Sequence, residues 1–156
     1  MKMTATVHIA APSETVWRCL NDPAILRAAI PGCQTFEMVS AAEFRAAANV
    51  AIGPVRSTFT GTLILSEMDP PRSYRVAGQG QSTNAGTASG VAFIRLTANN
   101  QGTDVHYEVD ATVGGKLAQI GQRFVDQAAK KMAEDFFLRL SALVDEANAK
   151  GTLKTA

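Results

Sequence analysis

The sequence predicts an α+β fold: a curved antiparallel sheet of about seven strands wrapped around a long C-terminal helix, with two short helices after the first strand. Three observations carry that reading. Apolar and polar residues alternate with period two from Cys33 to Val113, the mark of strands with one buried face. The breaks between these runs, GP, DPP, QSTNAG and NNQG, are hairpin-length turn signals, so neighbouring strands run antiparallel. From about Gly115 to Ala147 the apolar spacing becomes that of one helical face, through Leu117, Ile120, Phe124, Ala128, Met132, Phe136 and Leu140.

Taken in order, TATVHIA alternates with Ala5, Val7 and Ile9 on one face and predicts the first strand. APSETVWRCLND starts a helix with Ser13 as N-cap ahead of Val16, Trp17 and Leu20. DPAILRAAIPG starts another, with Asp22 as N-cap and Pro23 at the first helical position, where its missing N–H does no harm. Pro31 and Gly32 end it. The weaker run CQTFEMVS and five stronger ones, ending at TDVHYEVDATVG, supply the rest of the sheet. On the final helix, Asp126 with Lys130 and Asp135 with Arg139 stand at i,i+4 and predict a solvated face. One domain over residues 1–147 and a flexible tail over 148–156 complete the organisation.

Composition excludes several functions. The 156 residues suffice for one domain with its own core. A net charge of +1, with no basic stripe interleaved with aromatics, argues against nucleic acid. Cys19 and Cys33 form no CxxC pair, and His8 and His106 fall on the polar side of their strands, so no metal ligand set is expected. The opening MKMTATVHIAAPSE lacks a signal-like apolar stretch, and no run is long enough to span a bilayer. The sequence therefore predicts a cytoplasmic protein. No GxSxG elbow, HExxH pair or nucleophile with a base appears. GQGQST leads from strand to strand rather than into a helix, which argues against phosphate binding.

The informative feature is smallness on the face that alternation turns inward. Ala46, Ala48, Gly61, Gly78, Gly80, Ala88, Gly90, Ala92 and Ala111 fall there, among the larger Phe44, Phe59, Leu63, Tyr74, Tyr107 and Val109. The helix opposite adds Gly121, in mid-stripe, and Ala128. Glycines that let a bent sheet kink would explain part of this. They do not explain so many alanines, and an apolar cavity between sheet and helix does. Its expected lining is Phe59, Gly61, Tyr74, Gly78, Gly90, Ala92, Tyr107, Leu117, Ile120, Gly121 and Phe124. The expected entrance is the short-helix region, Ile25, Leu26, Ile30, Pro31 and Gly32, whose apolar residues would touch a bilayer transiently.

Several stretches in this order, APSETVWRCLND, DPAILRAAIPGC, GPVRSTFTGTLIL, DPPRSY, GQGQSTNAGTASG, VGGKLAQIGQR and DFF, resemble the carbon monoxide dehydrogenase G-subunit family to about Val144. That family belongs to the helix-grip superfamily of lipid-transfer (START-like), polyketide-cyclase and pollen-allergen-like domains. The resemblance implies a deep hydrophobic cavity and a non-catalytic accessory role beside a molybdenum hydroxylase, recruiting it to the cytoplasmic membrane. Some relatives carry a C-terminal extension; this chain closes on KGTLKTA, so transient rather than permanent contact is expected. The ligand expected is an apolar membrane molecule, a quinone or a lipid, with no cofactor. Two other readings stay open: a small cyclase or hydrolase-like enzyme using Tyr74 or Tyr107 as general acid, and an assembly adaptor with a filled core.

Overall fold

The structure is a computed structural model; it describes the backbone of residues 1–155 and the side chains of residues 1–150. The chain forms β1 (Lys2–Ile9), α1 (Ser13–Leu20), α2 (Pro23–Ala29), β2 (Cys33–Ser40), β3 (Glu43–Ile52), β4 (Val55–Asp69), β5 (Ser73–Ser82), β6 (Gly86–Asn99), β7 (Gly102–Gly114), α3 (Lys116–Gln119) and α4 (Gln122–Thr155). All strands join one antiparallel sheet in the order β1-β7-β6-β5-β4-β3-β2. From β2 to β7 the chain is a meander. β1 closes the far edge by pairing with β7, Lys2 opposite Asp110 and Ile9 opposite Thr103. That edge is in register throughout, whereas β2 at the other edge carries two register shifts, Cys33/Thr35 and Met38/Ser40.

Alternation assigned the inward face correctly. Phe44, Leu63, Gly78, Gly90 and Ala111 lie side by side across β3 to β7, and Ala46, Gly61, Gly80, Ala88 and Val113 form the next row. A band of small residues thus crosses the sheet. On either side of it sits a separate hydrophobic core. The larger joins α1, α2 and the later part of α4 to the sheet, with Ile9, Val16, Phe44, Val105, Leu140 and Val144 almost fully buried. The smaller contains Val55, Ala85 and Leu117, with Ile52, Phe59, Val113 and Ile120 packed against them. α4 lies against α1 and α2 and comes closer to β1 and β3 than to the strands between them. The sheet therefore holds the helix at β1 and β3 and stands off from it in between.

Four local expectations change. Ser13 is not an N-cap: α1 begins at Ser13 itself, after extended Pro12, with no side-chain cap. Its hydroxyl bonds Thr103 Oγ1 at 3.0 Å instead, and Thr103 donates to the Ala11 carbonyl at 2.8 Å, tying the helix start to β7. Asp22 does cap α2, accepting from the Ala24 amide at 2.9 Å, with Pro23 next to it. The final helix is two helices. Gly121, at φ +106°, separates α3 from α4 in a conformation that only glycine adopts cheaply. The break shifts the phase where α4 begins, so Val125 turns inward and Phe124 outward, while further along Phe136 is half-buried on the large core beside buried Phe137 and Leu140 keeps its place. The surface pairs also shift: Lys131 bonds Asp135 at 2.9 Å, and Gln122 donates to Asp126 at 2.8 Å. Finally, α4 continues as helix to Thr155, through most of the stretch 148–156 expected as a tail, with Ala156 outside the described residues.

Candidate functional site

Two hollows flank α4. One, of about 290 Å³, lies between the α3 end of the helix and the sheet. Ala88, Ala111 and Val113 floor it from the small-residue band, and Leu117, Val125, Ala128, Ala129 and Met132 face them. The other, of about 680 Å³, runs between the edge strand β1 and α4. Met3, Ala5, Val7, Tyr107, Ala133 and Phe137 give it an apolar wall, and Lys2, Asp126, Lys130, Glu134 and Ser141 a polar rim. Met1 borders both.

Both owe their existence to side chains that stop short. A strand pair carrying Ala88 and Val113, backed by a helix carrying Ala128 and Ala129, leaves room that leucines would fill. The glycines divide by cause. A methyl group on Gly61 would collide with the Gln79 carbonyl, and one on Gly90 would meet the Asp110 carbonyl at 2.9 Å and Ala111 Cβ at 3.1 Å. Those two are small so that neighbouring backbone can approach as the sheet bends. Gly80 has more room, its nearest neighbour being the Thr60 carbonyl at 3.5 Å. Backbone approach thus accounts for Gly61 and Gly90, while Ala88 and Ala111 border a hollow.

The expected lining residues do not all converge. Leu117 borders the smaller hollow and Tyr107 the larger. Phe59 and Ile120 pack in the small core. Gly61, Gly78, Gly90 and Ala92 lie half-buried on the inward face; Gly78 and Gly90, lacking side chains, also expose backbone to a depression on the outer face. Tyr74 is a correction: it is buried in the large core, edge-on to Trp17 with ring centres 5.0 Å apart, and borders neither hollow. Phe124 is another, because the phase reset leaves it 43% exposed with its ring over Gly53. Gly121 is a third. It is small for its positive φ, and a methyl group there would meet nothing within 4 Å.

The expected entrance also fails. Leu26 is buried, Ile25 and Ile30 pack on the large core, and Gly32 at φ +74° abuts the backbone of Asn49. α2 packs against α4 and β2, and none of Ile25, Leu26, Ile30, Pro31 and Gly32 borders either hollow. What sequence reasoning missed at the hollows, Val125, Ala129 and Met3, sits one residue out of the assumed phase or on the opening strand.

Electrostatics suits binding better than proton transfer. Tyr107 stacks on Phe137 with ring centres 4.9 Å apart, and burial, followed by the negative charge of Glu134, pushes its hydroxyl above the usual phenol range. Burial raises Tyr74 much further. Both phenols stay protonated at neutral pH as hydrogen-bond donors. His8 bonds Asp104 at 2.8 Å on the outer surface, away from the hollows. Among the described residues no three His, Cys, Asp or Glu side chains cluster to hold a metal ion, and no helix is long and apolar enough to cross a membrane.

A curved sheet holding a long C-terminal helix, with space left between them, defines the helix-grip class. Comparison with solved structures agrees. A conserved protein from Geobacillus kaustophilus superposes with a TM-score of 0.88 at 28% identity, covering 94% of this chain and 97% of its own. A Chromobacterium violaceum protein gives 0.69 at 17% identity over 92% and 96%. The Zhui aromatase/cyclase from Streptomyces sp. R1128 gives 0.68 at 16% over 93% of each chain. No curated protein matches. Within this class, the family model for the carbon monoxide dehydrogenase G subunit (CoxG) matches residues 6–144, and the chain belongs to that family.

Proposed function

We propose that the protein is a non-catalytic accessory of a carbon monoxide dehydrogenase-like molybdenum hydroxylase, working in the cytoplasm at the inner face of the membrane. It takes up an apolar membrane molecule, a quinone or a lipid, beside α4 and couples the enzyme to that membrane. The pair of apolar-walled hollows on either side of Met1 is the observation that supports this most. The larger has room for a ring beside Tyr107 and Phe137, whose neutral phenol donates to a carbonyl, and its apolar wall suits an alkyl tail. The family's name supplies the partner. The cyclase reading loses support from the same tyrosine: a phenol with raised pKa is a poorer acid, and the aromatase/cyclase neighbour, at 16% identity, speaks to the fold alone.

The test is Ala133→Leu in the larger hollow beside Ala128→Leu in the smaller, each adding three carbons from a helix position that accepts leucine without strain. In a filled core, overpacking costs about 1–3 kcal/mol. In a hollow the melting temperature holds or rises, while affinity for a quinone, read by native mass spectrometry and titration with decylubiquinone, falls about tenfold. Lost stability with unchanged affinity would sink the proposal.

A further inference from the structure

We infer that the α3 end of the molecule is a docking face for an anionic lipid bilayer, on which the protein stands with its smaller hollow nearest the membrane. This deepens the membrane coupling proposed above and rests on it. Three segments meet at this end: the β3–β4 turn, the β5–β6 turn, and the stretch from late β7 through α3 into the first turn of α4. The Leu117 amide donates to the Ala85 carbonyl at 3.0 Å, the Phe124 ring covers Gly53, and the small core lies beneath.

Their charge is one-sided. Residues 49–58, 82–90 and 111–124 contain Arg56, Lys116 and Arg123 and no aspartate or glutamate. All three are exposed, and none is paired with a carboxylate among the described residues. The opposite end, built from α1, α2 and the remaining hairpin turns, carries Glu14, Asp22, Glu43, Glu67, Asp69 and Asp104 against Arg18, Arg27, Arg45 and Arg72, of which Arg45 and Arg72 pair with Glu43 and Asp69, so acids outnumber cations there. A net charge of +1 conceals this gradient, which orients the molecule with its cationic end toward an anionic surface.

Between the cations stand exposed apolar groups, Phe124 above all, with Ala51, Pro54 and Ala118. An aromatic ring among basic side chains is suited to the headgroup layer. The exposed groups that could make contact are three cations and one ring carried on turns, an arrangement suited to shallow insertion among anionic headgroups. Leu117, Ala118 and Gln122 belong both to this end and to the hollow's wall, so an apolar molecule leaving the bilayer here would reach the hollow over a short path.

Vesicle flotation of the full chain tests this, using phosphatidylcholine vesicles with and without phosphatidylglycerol. The protein floats with the anionic vesicles and much less with the neutral ones. Each cation near such a surface is worth about fivefold in binding, so Arg56→Gln/Lys116→Gln/Arg123→Gln lowers it on the order of a hundredfold. Phe124→Ser weakens binding while keeping the preference for anionic lipid. Arg18→Gln/Arg27→Gln, at the other end, leaves it unchanged. All these side chains are exposed, and an unaltered melting curve verifies folding. Absence of wild-type flotation, undiminished flotation of the triple variant, or equal loss in the control pair would overturn the docking face. Decylubiquinone binding by the triple variant, measured without vesicles, reports on the hollow alone. Its failure there in both wild type and variant would remove the ligand reading while leaving the docking result intact.

Discussion

The two ends of the domain are built to different rules. At the α1–α2 end, helix pair, sheet and α4 interlock, and Val16, Val105, Leu140 and Val144 have no exposed surface. At the α3 end a small core caps a space that alanines keep open, and the chain there turns through Gly53, Gly86, Gly115 and Gly121, all at positive φ. The first end carries the stability of the fold. The second spends some of the available packing on keeping an opening.

Leucine truncation breaks the comparison most severely. Leu140 and Leu117 are both fully buried, one in each core. Burying leucine contributes a similar transfer term in both places, but the cavity left behind differs. Leu140→Ala opens a void within rigid packing and is expected near the upper part of the roughly 2–5 kcal/mol range. Leu117→Ala merely extends a hollow already present, and belongs about 1–2 kcal/mol lower. Urea denaturation of both variants checks the order, and equal costs would show that the small core is as tightly packed as the large one.

Glycine replacement gives an intermediate contrast. Gly32→Ala meets positive φ and the Asn49 backbone together; Gly121→Ala meets positive φ alone. Left-handed strain costs about 1–2 kcal/mol, so Gly121→Ala should lower stability by about that much and Gly32→Ala by clearly more. Melting temperatures of the two variants rank them, and the reverse order would contradict the open space around Gly121.

The smallest effect separates surface from core. His8 is held above its ordinary pKa, chiefly by its hydrogen bond to Asp104. A raised folded pKa means that the folded state binds the proton more tightly. The stabilisation is fully present below about pH 6.5 and is lost as pH rises through the folded value. The difference in melting temperature between wild type and His8→Gln should therefore shrink from pH 5.5 toward pH 8, measured by calorimetry in matched salt, and a constant difference would contradict the pairing.

Much of this was legible in the sequence, for identifiable reasons. Period two is robust over long strands, so the inward row from Phe44 to Ala111 could be assigned from alternation. Asp22 followed by Pro23 announced α2 because capping is local chemistry. The break at Gly121 was hidden, since Leu117, Ile120 and Phe124 keep helical spacing across it and a required positive φ leaves no periodic trace. The phase error then carried into the site, promoting Phe124 over Val125. The entrance was misplaced because an amphipathic short helix reads alike whether its apolar face meets a core or a membrane. Ser13 misled for a related reason: its partner Thr103 lies on β7, distant in sequence.

The register of β1 has a consequence for how the molecule is made. Strands β2 to β7 each pair with a neighbour just synthesised, so hairpins can form in turn behind the ribosome. β1 cannot, because Lys2 pairs with Asp110 and Ile9 with Thr103. At about 5–20 residues per second, translation of the roughly one hundred intervening residues takes about 5–20 s. For that interval the strand waits unpaired, its Met3, Ala5, Val7 and Ile9 alternation available to any nascent chain or chaperone nearby. The last hairpin to emerge releases it, so the domain closes near the end of its own synthesis, with the first strand arriving last.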